Sequence, residues 1–156
     1  MIVIGSDHAG IELKDKIIGY LEREHINYLD VMSGKHQEND DYPDVAKSIC
    51  MEVLKNSSNL GIAICGTGIG ISIACNKIRG IRAANCTDEI MAEMSKRHNN
   101  ANVLALGARL KFAEKFNNVE RIVDSFLNTF FEGGRHEVRL EKIKSLEGDS
   151  KYGSSI

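Results

Sequence analysis

The run Leu60-Gly61-Ile62-Ala63-Ile64-Cys65 constrains this chain more than any other feature. Six residues with no charged or strongly polar side chain, followed at once by glycine, read as a strand buried on both faces. A strand of an antiparallel sheet with one wet face would alternate apolar and polar residues, so the run points to a parallel sheet covered on both sides by helices. Other short apolar runs fit the same sheet: Ile2-Val3-Ile4, ending at Gly5, then Tyr28 to Val31, Arg82 to Cys86, and Val103 to Leu106. Helical spacing fills the gaps between them. Leu13, Ile17 and Leu21 lie four apart, as do Val45, Ile49 and Val53 behind Pro43, a residue suited to the first turn of a helix. Ile71, Ala74 and Ile78 mark another helix, and Thr87, Asp88 and Glu89 form a polar, acidic helix start. Phe112, Phe116, Val119, Val123, Phe126 and Leu127 predict one long helix closed by Gly133-Gly134, and Val138, Leu140 and Ile143 a terminal one.

This order predicts an α/β chain with a five-stranded parallel sheet flanked by helices, plus a C-terminal helix. One domain is expected over residues 1–148, with a flexible polar tail over 149–156. Ligands of such sheets bind beyond the carboxyl ends of the strands. A net charge of -2 gives no field to gather nucleic acid or anionic lipid, so any bound anion must be held by a local cluster of donors. No apolar run is long enough to span a membrane and no signal peptide is visible, which predicts a cytoplasmic protein. The four cysteines form neither a C-x-x-C pair nor a zinc pattern; Cys50, Cys75 and Cys86 read as small buried hydrophobes.

Cys65 differs because of its neighbours. Cys65-Gly66-Thr67-Gly68-Ile69-Gly70 sits on a strand-to-helix turn. Its glycines let the backbone approach a ligand closely, and the unpaired amides at the helix start attract an anion. The same positive potential favours the thiolate form of a cysteine at the strand end. A carbon-acid base beside an anion hole is what an enediolate intermediate requires. Gly66, Gly68 and Gly70 also approximate a dinucleotide fingerprint, but the third glycine comes one place early and position 71 is Ile. Asp7 and His8, after the first strand, can orient a hydroxyl, move a proton or bind phosphate; Asp7 can equally cap a helix. His98 and Asn99, just before the fifth strand, offer acid-base chemistry and a neutral donor, or a polar helix end with an asparagine in the left-handed conformation. Arg109, Arg135 and Arg139 carry the planar fork that matches phosphate, although Arg135 and Arg139 also suit a solvated helix face.

Six ordered blocks resemble the type B ribose-5-phosphate isomerases: Gly5 to Gly10, Asp41 to Asp44, Ile64 to Ala74, Asn76 to Ala83, Arg97 to Arg109 and Glu132 to Arg139. The resemblance implies a Rossmann-like three-layer fold, a homodimer or homotetramer with a shared active site, and interconversion of ribose 5-phosphate and ribulose 5-phosphate in the pentose phosphate pathway without metal or nucleotide. It implies that Cys65 is the base, and that Gly66, Thr67, Gly68, Ile69 and Gly70 hold the enediolate with Asn99. Asp7 and His98 would open the furanose ring, with Thr67 nearby. His8, Arg109, Arg135 and Arg139 would bind the phosphate, some of them from the neighbouring subunit. Isomerisation of galactose 6-phosphate or allose 6-phosphate is the close rival. A sugar-phosphate- or nucleotide-binding module without catalysis is the rival from another class.

Overall fold

The computed structural model describes residues 1–34 and 40–147. Five strands form one parallel sheet: β1 (Ile2–Ser6), β2 (Tyr28–Asp30), β3 (Leu60–Cys65), β4 (Ala83–Asn85) and β5 (Val103–Gly107), in the order β2-β1-β3-β5-β4. Among the described residues six α-helices accompany them: α1 (Ile11–Arg23), α2 (Tyr42–Val53), α3 (Ile69–Asn76), α4 (Glu89–Asn99), α5 (Phe116–Asn128) and α6 (Arg135–Leu146). The three-layer α/β arrangement expected from the sequence is what forms. The order of strand addition reverses between β1 and β3, so the segments leaving their carboxyl ends diverge and open a crevice there.

Residues of β3 alternate between two cores. Ile62 and Ile64 join Ile4, Leu104 and Leu106 beneath α1, α4 and α5, where Ile17, Leu21, Val123 and Phe126 are fully enclosed. Ala63 and Cys65 face the other side, with Val45, Ile49, Ile71 and Cys75 of α2 and α3. This double burial is why the strand carries no polar residue. Cys50, Cys75 and Cys86 are buried as expected.

Two boundaries differ from the sequence reading. Phe112 lies in a short 3-10 turn, Lys111–Glu114, and Lys115 is extended at φ -111, so α5 begins at Phe116. Phe112 and Phe116 pack against the same core from either side of that break, which imitates continuous helical spacing. The helix also stops at Asn128, before the glycine pair; Gly133 and Gly134 instead lead into α6 with φ of +70 and +57. The tail expected over 149–156 lies outside the described residues. Among the described residues no helix is long and apolar enough to cross a membrane.

Candidate functional site

Cys65 is the last residue of the central strand and is 4% exposed. The chain turns sharply beyond it. Gly68 adopts φ +76, a left-handed conformation that starts α3, and its amide donates to Cys65 Sγ at 3.2 Å. The turn thus closes over the sulfur and aims an amide dipole at it. Thr67 and Ile69 stand exposed at the rim, and Thr67 Oγ1 accepts from the Ile69 amide at 3.3 Å. Gly70 is covered by the Tyr42 ring, which a β-carbon there would meet at 2.8 Å.

The segments after β1 and β5 border this turn. The Asp7 amide donates to the Ile64 carbonyl, and the Arg109 amide to the Gly66 carbonyl. Asp7 is 5% exposed, and its Oδ1 accepts from the Ala9 amide at 2.9 Å, so it caps a 3-10 turn. Burial pushes its carboxyl above the usual range, against the lowering pull of the Ala9 amide and of His8. His8 is exposed, with Nδ1 3.4 Å from the Asp40 carbonyl oxygen. The Arg109 side chain runs over Gly66, where a β-carbon would lie 3.5 Å from its Nη1. Asp7, His8, Cys65, Gly66 to Gly70 and Arg109 therefore gather at the carboxyl edge of the sheet.

His98, Asn99, Arg135 and Arg139 do not join them within one chain. Helix α4 starts beyond the carboxyl end of β4, capped by Asp88, and runs back to the amino end of β5. His98 and Asn99 are its last residues, with Asn100 in the left-handed conformation just after them. The nearby Asn102 carbonyl accepts from Gly61 at the start of β3, which marks the amino edge of the sheet. The length of β5, about 16 Å for five residues, separates the two edges. Helix α6 packs chiefly on α4, so Arg135 and Arg139, both exposed, belong to the His98 side. A residue that ends a helix and precedes a parallel strand lies at the opposite edge from a strand's carboxyl end, so His98 stands apart from Cys65 within one chain.

The amino-edge cluster holds two residues that the sequence reading did not single out for a role. His136, 3% exposed, stacks on His98 with ring centroids 4.3 Å apart and planes 6° from parallel. Glu132 Oε2 lies 3.8 Å from His98 Nε2 and 3.6 Å from His136 Nε2. Arg97 Nε donates to Glu132 at 2.6 Å, and this contact lowers the carboxyl pKa. Burial, then the positive neighbours His98, Arg135 and Arg139, holds His136 below the usual histidine range. Ligand-type atoms of His98, Glu132 and His136 lie within 4.8 Å of one another. Parallel stacked rings, however, do not turn their in-plane lone pairs to one point, and Arg97 already engages the carboxylate. A partial signal was available, since Glu132 stands three and four positions before the basic pair Arg135-His136.

A glycine turn closed over a strand-end thiol, at the switch point of a parallel sheet, places Cys65 at the crevice where open α/β proteins bind small ligands. Comparison with known proteins narrows the assignment. The family model described as Ribose/Galactose Isomerase matches residues 2–143. A Rickettsia typhi protein, named provisionally as a sugar phosphate isomerase, is 49% identical over 92% of this chain and 96% of its own length. A Mycoplasma genitalium ribose-5-phosphate isomerase B, solved with bound ribulose-5-phosphate, is 42% identical with a TM-score of 0.88, covering 96% of this chain and 97% of that one. A D-erythrulose-4-phosphate isomerase of Pectobacterium atrosepticum is 39% identical over 97% of each chain. This chain belongs to the ribose/galactose isomerase family, within the group of the type B ribose-5-phosphate isomerases, and is an isomerase.

Proposed function

We propose that the chain interconverts D-ribose 5-phosphate and D-ribulose 5-phosphate through an enediolate, with Cys65 as the base, in a site completed by a second copy of the chain. The observation that carries the chemistry is the Gly68 amide donating to Cys65 Sγ beneath the glycine turn. Ring opening comes first: Asp7 of one copy and His98 of the other take the proton from the C1 hydroxyl and return one to the ring oxygen. The Cys65 thiolate then removes the C2 proton of the open aldose. Negative charge moves to the C1 oxygen, where the amides of Gly66 to Gly70, the Thr67 hydroxyl and Asn99 receive it. The proton of the C2 hydroxyl passes to the C1 oxygen, and the Cys65 thiol delivers its proton to C1, which leaves the ketose.

Phosphate binding is assigned to His8 and Arg109 of one copy and to Arg135 and Arg139 of the other. The division of these residues between opposite edges of the sheet supports a homo-oligomer with shared sites, because one chain alone holds half of each. An isologous pair joins the two halves twice over.

The activity test is a spectroscopic isomerase assay with chelator present and no nucleotide. It is run on ribose 5-phosphate, D-erythrulose 4-phosphate, galactose 6-phosphate and allose 6-phosphate, since substrate length varies among the relatives. Cys65→Ala should lose about 10²- to 10⁴-fold in turnover. A Cys65→Ala protein within twofold of the parent rejects the base assignment. For the shared site, Cys65→Ala and Arg139→Ala chains are unfolded and refolded together. Half of randomly paired dimers are mixed and each has one intact site, so recovery approaches about a quarter of parental activity. Mixed dimers detected by mass spectrometry without recovered activity would exclude sharing.

A further inference from the structure

We propose that His136 is a positioning residue: its buried ring is the platform that fixes the plane of His98. The inference rests on the ring-opening role proposed for His98. His98 ends a helix and is partly exposed, so nothing in its own backbone fixes its ring. Two contacts do so from outside. The His136 face lies parallel beneath it at 4.3 Å, which sets the ring plane. The Glu132 carboxylate, held by Arg97, lies at the Nε2 edge and sets the rotation within that plane. Face and edge together leave one orientation for the nitrogen that meets a sugar oxygen.

The platform is built at a cost. Neither His136 nitrogen has a hydrogen-bond partner, although the side chain is buried. Leaving a buried polar atom unpaired is unfavourable, because its hydration is lost with nothing in exchange. Leucine would fill the volume without that cost, so the position is not explained by packing alone. Burial and the surrounding cations favour a neutral His136. A neutral ring can lie against His98 without repelling it when His98 takes up a proton. His136 is also the second residue of α6, between Arg135 and Arg139, so one helix start carries both the platform and the expected phosphate ligands.

The experiment compares His136→Leu, His136→Phe, His98→Asn and the His98→Asn/His136→Leu double variant on ribose 5-phosphate and ribulose 5-phosphate. Circular dichroism and gel filtration confirm their fold. Misplacing a reacting group by about 1 Å costs on the order of 10²-fold, so a loosened His98 should lower kcat on ribose 5-phosphate roughly 10- to 100-fold in His136→Leu. KM should stay within about twofold, because Arg135 and Arg139 keep their places. His136→Phe restores the flat face and should recover most of the lost kcat. The double variant should be no slower than His98→Asn, since a residue acting through another shows full coupling in a mutant cycle. If His136→Leu does not fold, His136→Gln, which also lacks a ring, takes its place. A defect confined to KM, equal loss in the Leu and Phe variants, or an additive double variant would reduce His136 to an anchor for α6. Should His98→Asn run at the parental rate, the ring-opening assignment itself fails and the platform falls with it. Impaired His98→Asn beside parental His136→Leu rejects the platform alone.

Discussion

Replacing Gly68 with alanine tests the turn that closes over Cys65. The backbone there has φ +76, which costs an L-residue about 1–2 kcal/mol. The new β-carbon would stand 2.4 Å from Asn85 Oδ1 and 3.0 Å from the Leu106 carbonyl carbon. Asn85 cannot easily retreat, because its Oδ1 is enclosed beneath the turn. Overpacking of this kind costs about 1–3 kcal/mol, giving roughly 2–5 kcal/mol in total. For a chain of this size that corresponds to a fall in Tm of roughly 5–20 °C. Turnover should drop more than about tenfold, since the amide that meets Cys65 Sγ belongs to the residue being displaced. Asn85→Ala alone should be nearly neutral, because it removes a buried acceptor that has no partner. Combined with Gly68→Ala it should relieve the side-chain clash and leave the backbone cost, so about half of the Tm loss returns. Scanning calorimetry and initial rates on all three proteins measure these terms. Parental Tm and kcat in Gly68→Ala, or no relief from Asn85→Ala, would refute the reasoning.

Two further outcomes are expected. Burial raises the Asp7 pKa, so its contribution to stability is present below the unfolded value of about 3.9 and is lost as pH rises through the folded value. Asp7→Asn should therefore melt higher than the parent at pH 7, with the gap closing toward pH 4; a pH-independent gap in thermal melts contradicts this. Lys14 Nζ meets Asp30 Oδ2 at 2.5 Å with both side chains largely buried, so Lys14→Ala should cost about 3–5 kcal/mol in urea denaturation, and adding Asp30→Ala should return part of it. Strict additivity of the two substitutions would rule out that coupling.

The sheet was legible because burial on both faces leaves a plain mark, as in Leu60 to Cys65, and because each core-facing helix repeats its apolar residues every three or four positions. Phe112 misled for a physical reason: spacing records which residues reach the core, not whether the backbone between them stays helical. The carboxyl-edge half of the proposed site was readable from strand ends and glycines. The other half was legible as residues but not as a place, since motif order says nothing about the edge of the sheet at which a helix ends. The His98–His136 stack, the Lys14–Asp30 pair and Asn85 under Gly68 are contacts between segments distant in sequence, and local patterns do not encode them.

The attachment of α6 has its own consequence. The strand bearing Cys65 lies between two buried cores, whereas α6 rests chiefly on α4 and leaves Val138, Ile143 and Leu146 exposed. Its ties to the body include the Glu132 amide donating to the Arg97 carbonyl and the Gly80 amide donating to the Glu147 carboxylate. Amide hydrogens of β3 should exchange only through global unfolding, while those of α6 exchange through a cheaper local opening. Each such opening removes His136, Arg135 and Arg139 at once and leaves the sheet intact. Mild denaturant should therefore silence this half of the proposed site well before the fold itself gives way.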